Sequence, residues 1–166
     1  ASLVGSEMCI RDSYSMVSME AFEIYAANHD IHVMDFVLKL DAYSYYMMNL
    51  LDYLIGNTDR HWGNWGFLVD NRTNQPVRLF DLMDLNQTFL AYDTPDGANC
   101  MTTGNRKMSQ REAAVEAVKK IGLNQRAEIK DEWFKGREKE REMFWCRFGI
   151  LKEQWNCLLY TSDAAD

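Results

Sequence analysis

The sequence predicts a mainly α-helical domain with one β-hairpin at its centre. Apolar residues recur at helical spacing through most of residues 18–154. Two short runs of β-formers, 65–70 and 76–82, flank a single Asn-rich turn. Helix start and stop residues stand at the ends of the periodic runs, most clearly around 109–122.

In chain order, SMEAFEIYAAN (18–28) predicts a helix with Ser18 as N-cap and Phe22, Tyr25 and Ala26 on one apolar face. HDIH breaks it. VMDFVLKL (33–40) predicts a second short helix, and Asp41 can cap a third over 42–56. That third helix is apolar nearly all round, through Tyr43, Tyr46, Met47, Leu50, Leu51, Leu54 and Ile55, so burial on several sides is expected. Its Tyr and Met residues read as core filler. Gly56 suits the C-terminal position, where a positive φ costs glycine little. The hairpin follows: WGFLVD, NRTNQ and PVRLFDL, with Pro76 at the start or edge of a strand. Residues 83–108 read as irregular, and the Pro-Asp-Gly at 95–97 as a turn that accounts for Asp93 and Asp96 without a second metal site. Ser109 and Glu112 form a capping box for a helix over 109–122 that stops at Gly122. A last helix, about 137–154, opens with the solvated face REKERE and turns apolar.

The two ends lack any helical or alternating pattern. Residues 1–13 contain MCIRDS and residues 157–166 begin CLLYTS. Both resemble sequencing-adapter sequence translated in a consistent frame, so they are expected to be artefacts. The domain is then expected to be 14–156, cut from a longer gene. Excluding the ends removes Cys9 and Cys157, and leaves Cys100 and Cys146 without CxxC spacing. That argues against a disulfide framework or a zinc site. The chain carries a formal charge of −7. The ends contribute Glu7, Asp12, Asp163 and Asp166 against Arg11, a net −3, which leaves −4. A mildly acidic domain gives no electrostatic case for nucleic acid. No apolar run approaches the roughly 18 residues of a membrane span, and a cytoplasmic location is expected.

The chemistry concentrates in GNTDRHWGN (56–64) and in the residues that close the hairpin. Asn64 precedes the first strand and Asp81 ends the second, so folding back should bring them near each other, with Asp59 in the same neighbourhood. A carboxylate and an amide oxygen suit a hard cation such as Mg²⁺, which takes one or two carboxylates and fills its shell with water and phosphate oxygens. A further carboxylate can take the proton from a hydroxyl nucleophile.

The order Asp59-Arg60-His61-x-x-Asn64, a hydrophobic strand, a turn and Phe80-Asp81 resembles the catalytic and metal-binding segments of protein-kinase-like enzymes. It is most similar to the bacterial HipA-like serine/threonine kinases, and its order is shared with the phosphatidylinositol-3/4-kinases. The resemblance covers about residues 42–90. It implies the helical C-lobe of a protein-kinase-like fold, with ATP as nucleotide substrate, Mg²⁺ as cofactor and a protein or small-molecule hydroxyl as acceptor. Asp59 would be the catalytic base, and Asn64 and Asp81 would hold Mg²⁺ and, through it, the nucleotide. His61 would support the loop, and Arg60 would brace it or meet an acidic partner. The pattern departs from the family after Asp81, where Leu-Met stands in place of Phe-Gly, and Asp84 is a rival or extra ligand. Residues 14–55 show neither a glycine-rich phosphate loop nor a strand lysine, and none of the nine glycines forms a G-x-G-x-x-G. The resemblance therefore implies an N-lobe of the same gene, upstream, as the missing partner, with the fragment inactive alone.

Other readings of the same residues stand beside this one. Residues 59–64 also suit a plain helix-ending turn. His61 suits a hydrogen-bonded structural role, and His29, His32 and His61 lack the H-E-x-x-H of a zinc hydrolase. Trp62 and Trp65 suit packing better than base stacking. At the level of function, the alternatives are an inactive kinase-shaped binding or regulatory module, and a lipid or small-molecule kinase. No basic amphipathic surface for an anionic membrane stands out.

Overall fold

A computed structural model describes residues 13–89, 94–103, 107–123 and 130–162. Of the expected artefactual ends, residues 1–12 and 163–166 lie outside the described residues, as does Asp93, whereas Ser13 and residues 157–162 are described. The protein is mainly α-helical with one small antiparallel sheet. In order, the elements are β1 (Tyr14–Ser18), α1 (Met19–Ala27), α2 (Val33–Ile55), β2 (Gly66–Asp70), β3 (Gln75–Leu79), α3 (Gln110–Ile121), a 3-10 turn (Asp131–Phe134) and α4 (Glu138–Ser162). The chain divides into two compact units. The first comprises the described residues to 45 together with Arg60–Asp84, and the second Tyr46–Asp59 with the residues from Leu85 onward.

The first unit holds the sheet, in the order β1-β2-β3 with both pairs antiparallel. The hairpin β2–β3 is as expected, and Pro76 lies on the edge strand β3, where its missing N–H costs no ladder bond on the open side. The strand β1 is a correction to the one-hairpin expectation. YSMVS is too short and too mixed to stand out, and its partner lies some fifty positions away, Tyr14 opposite Asp70 and Ser18 opposite Gly66. The close approach there requires Gly66: a Cβ would lie 2.1 Å from the Val17 carbonyl oxygen. Ser18 ends β1 and caps α1 through the Ala21 N–H, as the sequence indicates. Phe22 of α1, Phe36 of α2 and Phe67 of β2 form an aromatic cluster with ring centroids 4.8–5.6 Å apart. Tyr25, expected on that buried face, is instead 51% exposed and stacks on His29.

The segment α2 is one helix in hydrogen bonding but two in backbone angles. Asp41 breaks it with non-helical φ and ψ, and its Oδ1 accepts the Ser44 N–H. The two predicted helices and the Asp41 cap are therefore present. Burial all round is not: Tyr43 and Met47 are exposed, so the helix keeps one face to water.

In the second unit Tyr46, Met48, Leu50, Tyr53 and Leu54 of α2 are buried. So are Ala113, Ala114, Ala117 and Val118 of α3 and Met143, Phe144 and Leu151 of α4. The three alanines give α3 a narrow buried side, and α3 and α4 are in contact. The capping box of α3 is complete in both directions and Gly122 ends it at φ 76°. The Pro-Asp-Gly turn closes by Gly97 N–H to Thr94 O at 3.2 Å with Gly97 at φ 70°. Helix α4 starts on exposed charges, as expected, but runs past 154 to Ser162. No helix among the described residues is long and apolar enough to cross a membrane.

Candidate functional site

The loop after α2 begins in the second unit. A helix leaves its last carbonyls without partners, and here each of several finds one. The Asp52 carbonyl accepts from Asn57 N at 2.9 Å, and the Ile55 carbonyl from Phe89 N at 2.6 Å. The Tyr53 carbonyl accepts from Gly56 N and from the guanidinium of the buried Arg147. The same Arg147 lies 5.0 Å from the Tyr53 ring centroid and reaches the Thr94 carbonyl. Burial lowers its pKa from the usual guanidinium value. Gly56 takes φ 62°, and a Cβ there would press on Arg147. Asn57, wholly buried, is the hub of the turn. Its Nδ2 donates to Asp52 Oδ1 at 2.9 Å, its Oδ1 accepts from Asp59 N at 3.2 Å, and its carbonyl accepts from Gln110 Nε2. Asp59, half-buried, is thus held through its backbone by a side-chain network that starts on α2 and α3.

From Arg60 the chain belongs to the first unit. Arg60 is 3% exposed, and its Nη1 donates to the carbonyls of Asn64 at 2.9 Å and Met83 at 2.7 Å. It clasps the residues that precede β2 to those that follow β3. His61 is half-buried. Its Nδ1 accepts the Gly63 N–H at 3.0 Å, and its carbonyl accepts the Asn64 N–H at 2.9 Å. These are loop-supporting bonds. A Cβ on Gly63 would meet the His61 ring at 2.8 Å, so any larger residue there would have to displace that ring. The start of α1 holds the same loop, with Met19 N donating to Trp65 O at 2.8 Å and Glu20 N to Trp62 O at 3.0 Å. Trp65 is buried against Tyr45, and Trp62 is half-buried, in keeping with packing roles.

The far side of the hairpin carries the carboxylates. The ladder continues past β3 by Phe80 N to Gly66 O at 2.8 Å. Asp41, already a helix cap, uses its other oxygen to accept the Leu79 N–H at 3.1 Å. Two anchors therefore fix the backbone just before Asp81. The Asp81 side chain is exposed, and its Oδ1 meets Arg78 Nη1 at 2.8 Å. Asp84 is exposed and takes φ 51°, which an Asp tolerates better than most residues.

Within the first unit the hairpin brings its two open ends together. It lays the Asn64 end beside the 81–84 end, with Arg60 bonded to both. Asp59 is joined to this unit by the peptide bond to Arg60 and is positioned from the second. The donors present, a carboxamide and carboxylates, are the hard oxygens that Mg²⁺ prefers, and a guanidinium already stands against Asp81 as a cation. No group of three or more His, Cys, Asp or Glu able to hold a metal ion occurs among the described residues. A cation here would depend on Asn64 and on oxygens from water or phosphate.

Sequence reasoning missed Arg78, Asn57, Gln110 and Arg147. The Arg78-x-x-Asp81 spacing and the closeness of Asn57 to Asp52 and Asp59 could have signalled those bonds in advance, whereas Gln110 and Arg147 act across 53 and 94 positions. No protein-family model, curated protein or solved structure matches the chain.

Proposed function

We propose that the chain is the helical C-lobe of an ATP- and Mg²⁺-dependent, HipA-like kinase that transfers phosphate to a protein hydroxyl in the cytoplasm. The observation that carries the reading is the Arg60 clasp. One guanidinium nitrogen binds the carbonyls of Asn64 and Met83, which supports a site that draws on residues 60–64 and F-D-L-M-D.

In this reading Asn64 and Asp81 hold Mg²⁺, which when bound neutralises the charge on the nucleotide phosphates. Asp59 orients the acceptor hydroxyl and takes its proton as the oxygen attacks the γ-phosphorus. The bond from that phosphorus to the bridging oxygen breaks, and ADP leaves with the electron pair. His61 and Arg60 keep the loop in shape and take no proton. The phosphate-covering loop and the strand lysine would come from the N-lobe of the same gene.

The test is a Mn²⁺ titration of the chain with ADP or ATP present, followed by intrinsic fluorescence, to which Trp62 and Trp65 of the loop contribute among five tryptophans. Saturable binding that is lost in Asp81→Asn and Asn64→Leu but kept in Asp59→Asn is the expected result. Binding indifferent to Asp81 and Asn64 would overturn the assignment. In the intact enzyme Asp59→Asn should lower phosphate transfer by about 10²-fold or more while sparing Mn²⁺-nucleotide binding. A full-length protein with the same binding but no transfer, even as wild type, would favour the inactive regulatory module instead.

A further inference from the structure

We infer that Arg78 is the built-in counter-ion of Asp81 and sets the divalent-cation affinity of the site by competing for that carboxylate. The inference rests on the reading of Asn64 and Asp81 as cation ligands.

The geometry makes Arg78 a tethered competitor. Its Nη1 donates both to Asp81 Oδ1 at 2.8 Å and to the Leu79 carbonyl at 2.7 Å. The carbonyl bond holds the guanidinium at the end of β3 whether or not the carboxylate stays with it. The backbone that carries the carboxylate is held too. Leu79 N is fixed by Asp41 and Phe80 N by Gly66, so the backbone two residues and one residue before Asp81 is anchored. Arg78 and Asp81 are therefore presented to each other by rigid neighbours.

The pair is also weak enough to yield. The side chains of Arg78 and Asp81 are 45% and 79% exposed, so water screens their attraction. A doubly charged ion with direct oxygen coordination outcompetes a singly charged, diffuse guanidinium at such a position. Competition on this scale does not block the site. It lowers affinity by about threefold to fivefold, the range an exposed ion pair supports, and less as salt rises.

The experiment measures Mn²⁺ affinity directly, from the electron-spin signal of free Mn²⁺, without any catalytic readout. Wild type is compared with Arg78→Gln, Asp81→Asn and Arg72→Gln. Arg72 pairs with Asp70 at 2.9 Å at the tip of the same hairpin, so it reports any general effect of removing a positive charge. Arg78→Gln should bind Mn²⁺ about threefold to fivefold more tightly at low ionic strength, with the gain shrinking at about 1 M salt. Arg72→Gln should match wild type, and Asp81→Asn should lose the site. If wild-type binding depends on Asp81 but Arg78→Gln binds no more tightly than wild type or Arg72→Gln, the inference fails and the cation site stands. Binding unaffected by Asp81→Asn, or absent from every protein, removes the cation site and the inference with it.

Discussion

Among single residues, Arg147 shows how backbone carbonyls and an aromatic face can receive a buried guanidinium. Its guanidinium meets two backbone carbonyls and one aromatic face, all of them electron-rich. Arg147→Met keeps the length and removes the donors, leaving the Tyr53 carbonyl to Gly56 alone and weakening the hold on Thr94. We expect a loss of about 2–4 kcal/mol, read as a lower urea midpoint at unchanged slope. An unchanged midpoint would show that the carbonyls find water. Arg147 was not legible in the sequence, because it acts on partners 94 and 53 positions away that only the folded chain brings near. Asp59, Asn64 and Asp81 were legible because their chemistry and order sit within one stretch of 23 residues.

Elements written in local grammar were read correctly. Ser18, Asp41, Ser109 with Glu112, and Gly122 each mark a boundary through bonds to backbone within four positions. The capping box also carries a pH signature. Glu112 accepts from the Ser109 N–H at 2.8 Å and from its hydroxyl at 3.0 Å, and these bonds lower its pKa. A carboxyl with a lower pKa folded than unfolded stabilises the fold above the unfolded value. That contribution disappears as pH falls through the folded value. Glu112→Gln should flatten the acid-side decline of the melting temperature, and a profile parallel to wild type would remove this role. Ser109→Ala, which loses the cap itself, should cost about 1 kcal/mol at neutral pH. The β1 strand escaped the local grammar because pairing with β2 defines it, and that pairing leans on Gly66. Gly66→Ala drives a Cβ into the Val17 carbonyl, where only backbone could yield. We expect a cost of about 3 kcal/mol or more, visible as lost amide protection in Tyr14–Ser18 and Gly66–Asp70. Protection equal to wild type would mean that the strands part there at no cost.

For the molecule as a whole, the division into units runs through the loop itself, between Asp59 and Arg60. The proposed base and the proposed cation ligands are thus fixed by different sets of side chains, Asn57 with Gln110 for the one and Arg60 with Asp41 for the other. Phosphoryl transfer draws most of its rate from positioning and from clamping of the phosphates, and the sequence holds no glycine-rich clamp. The chain alone should therefore show no ATP-dependent labelling of a protein acceptor above an Asp59→Asn control. Labelling that exceeds the control would contradict the C-lobe reading. The Arg60 clasp has one more consequence. It closes the open end of the hairpin with a side chain, so the register near Asn64 and Met83 does not rest on the four residues of the tip, 71–74, all of which are exposed. Lengthening a loop whose ends are already held adds little entropy cost. The tip is accordingly the place where this scaffold can accept an inserted tag or reporter while the loop beneath keeps its shape.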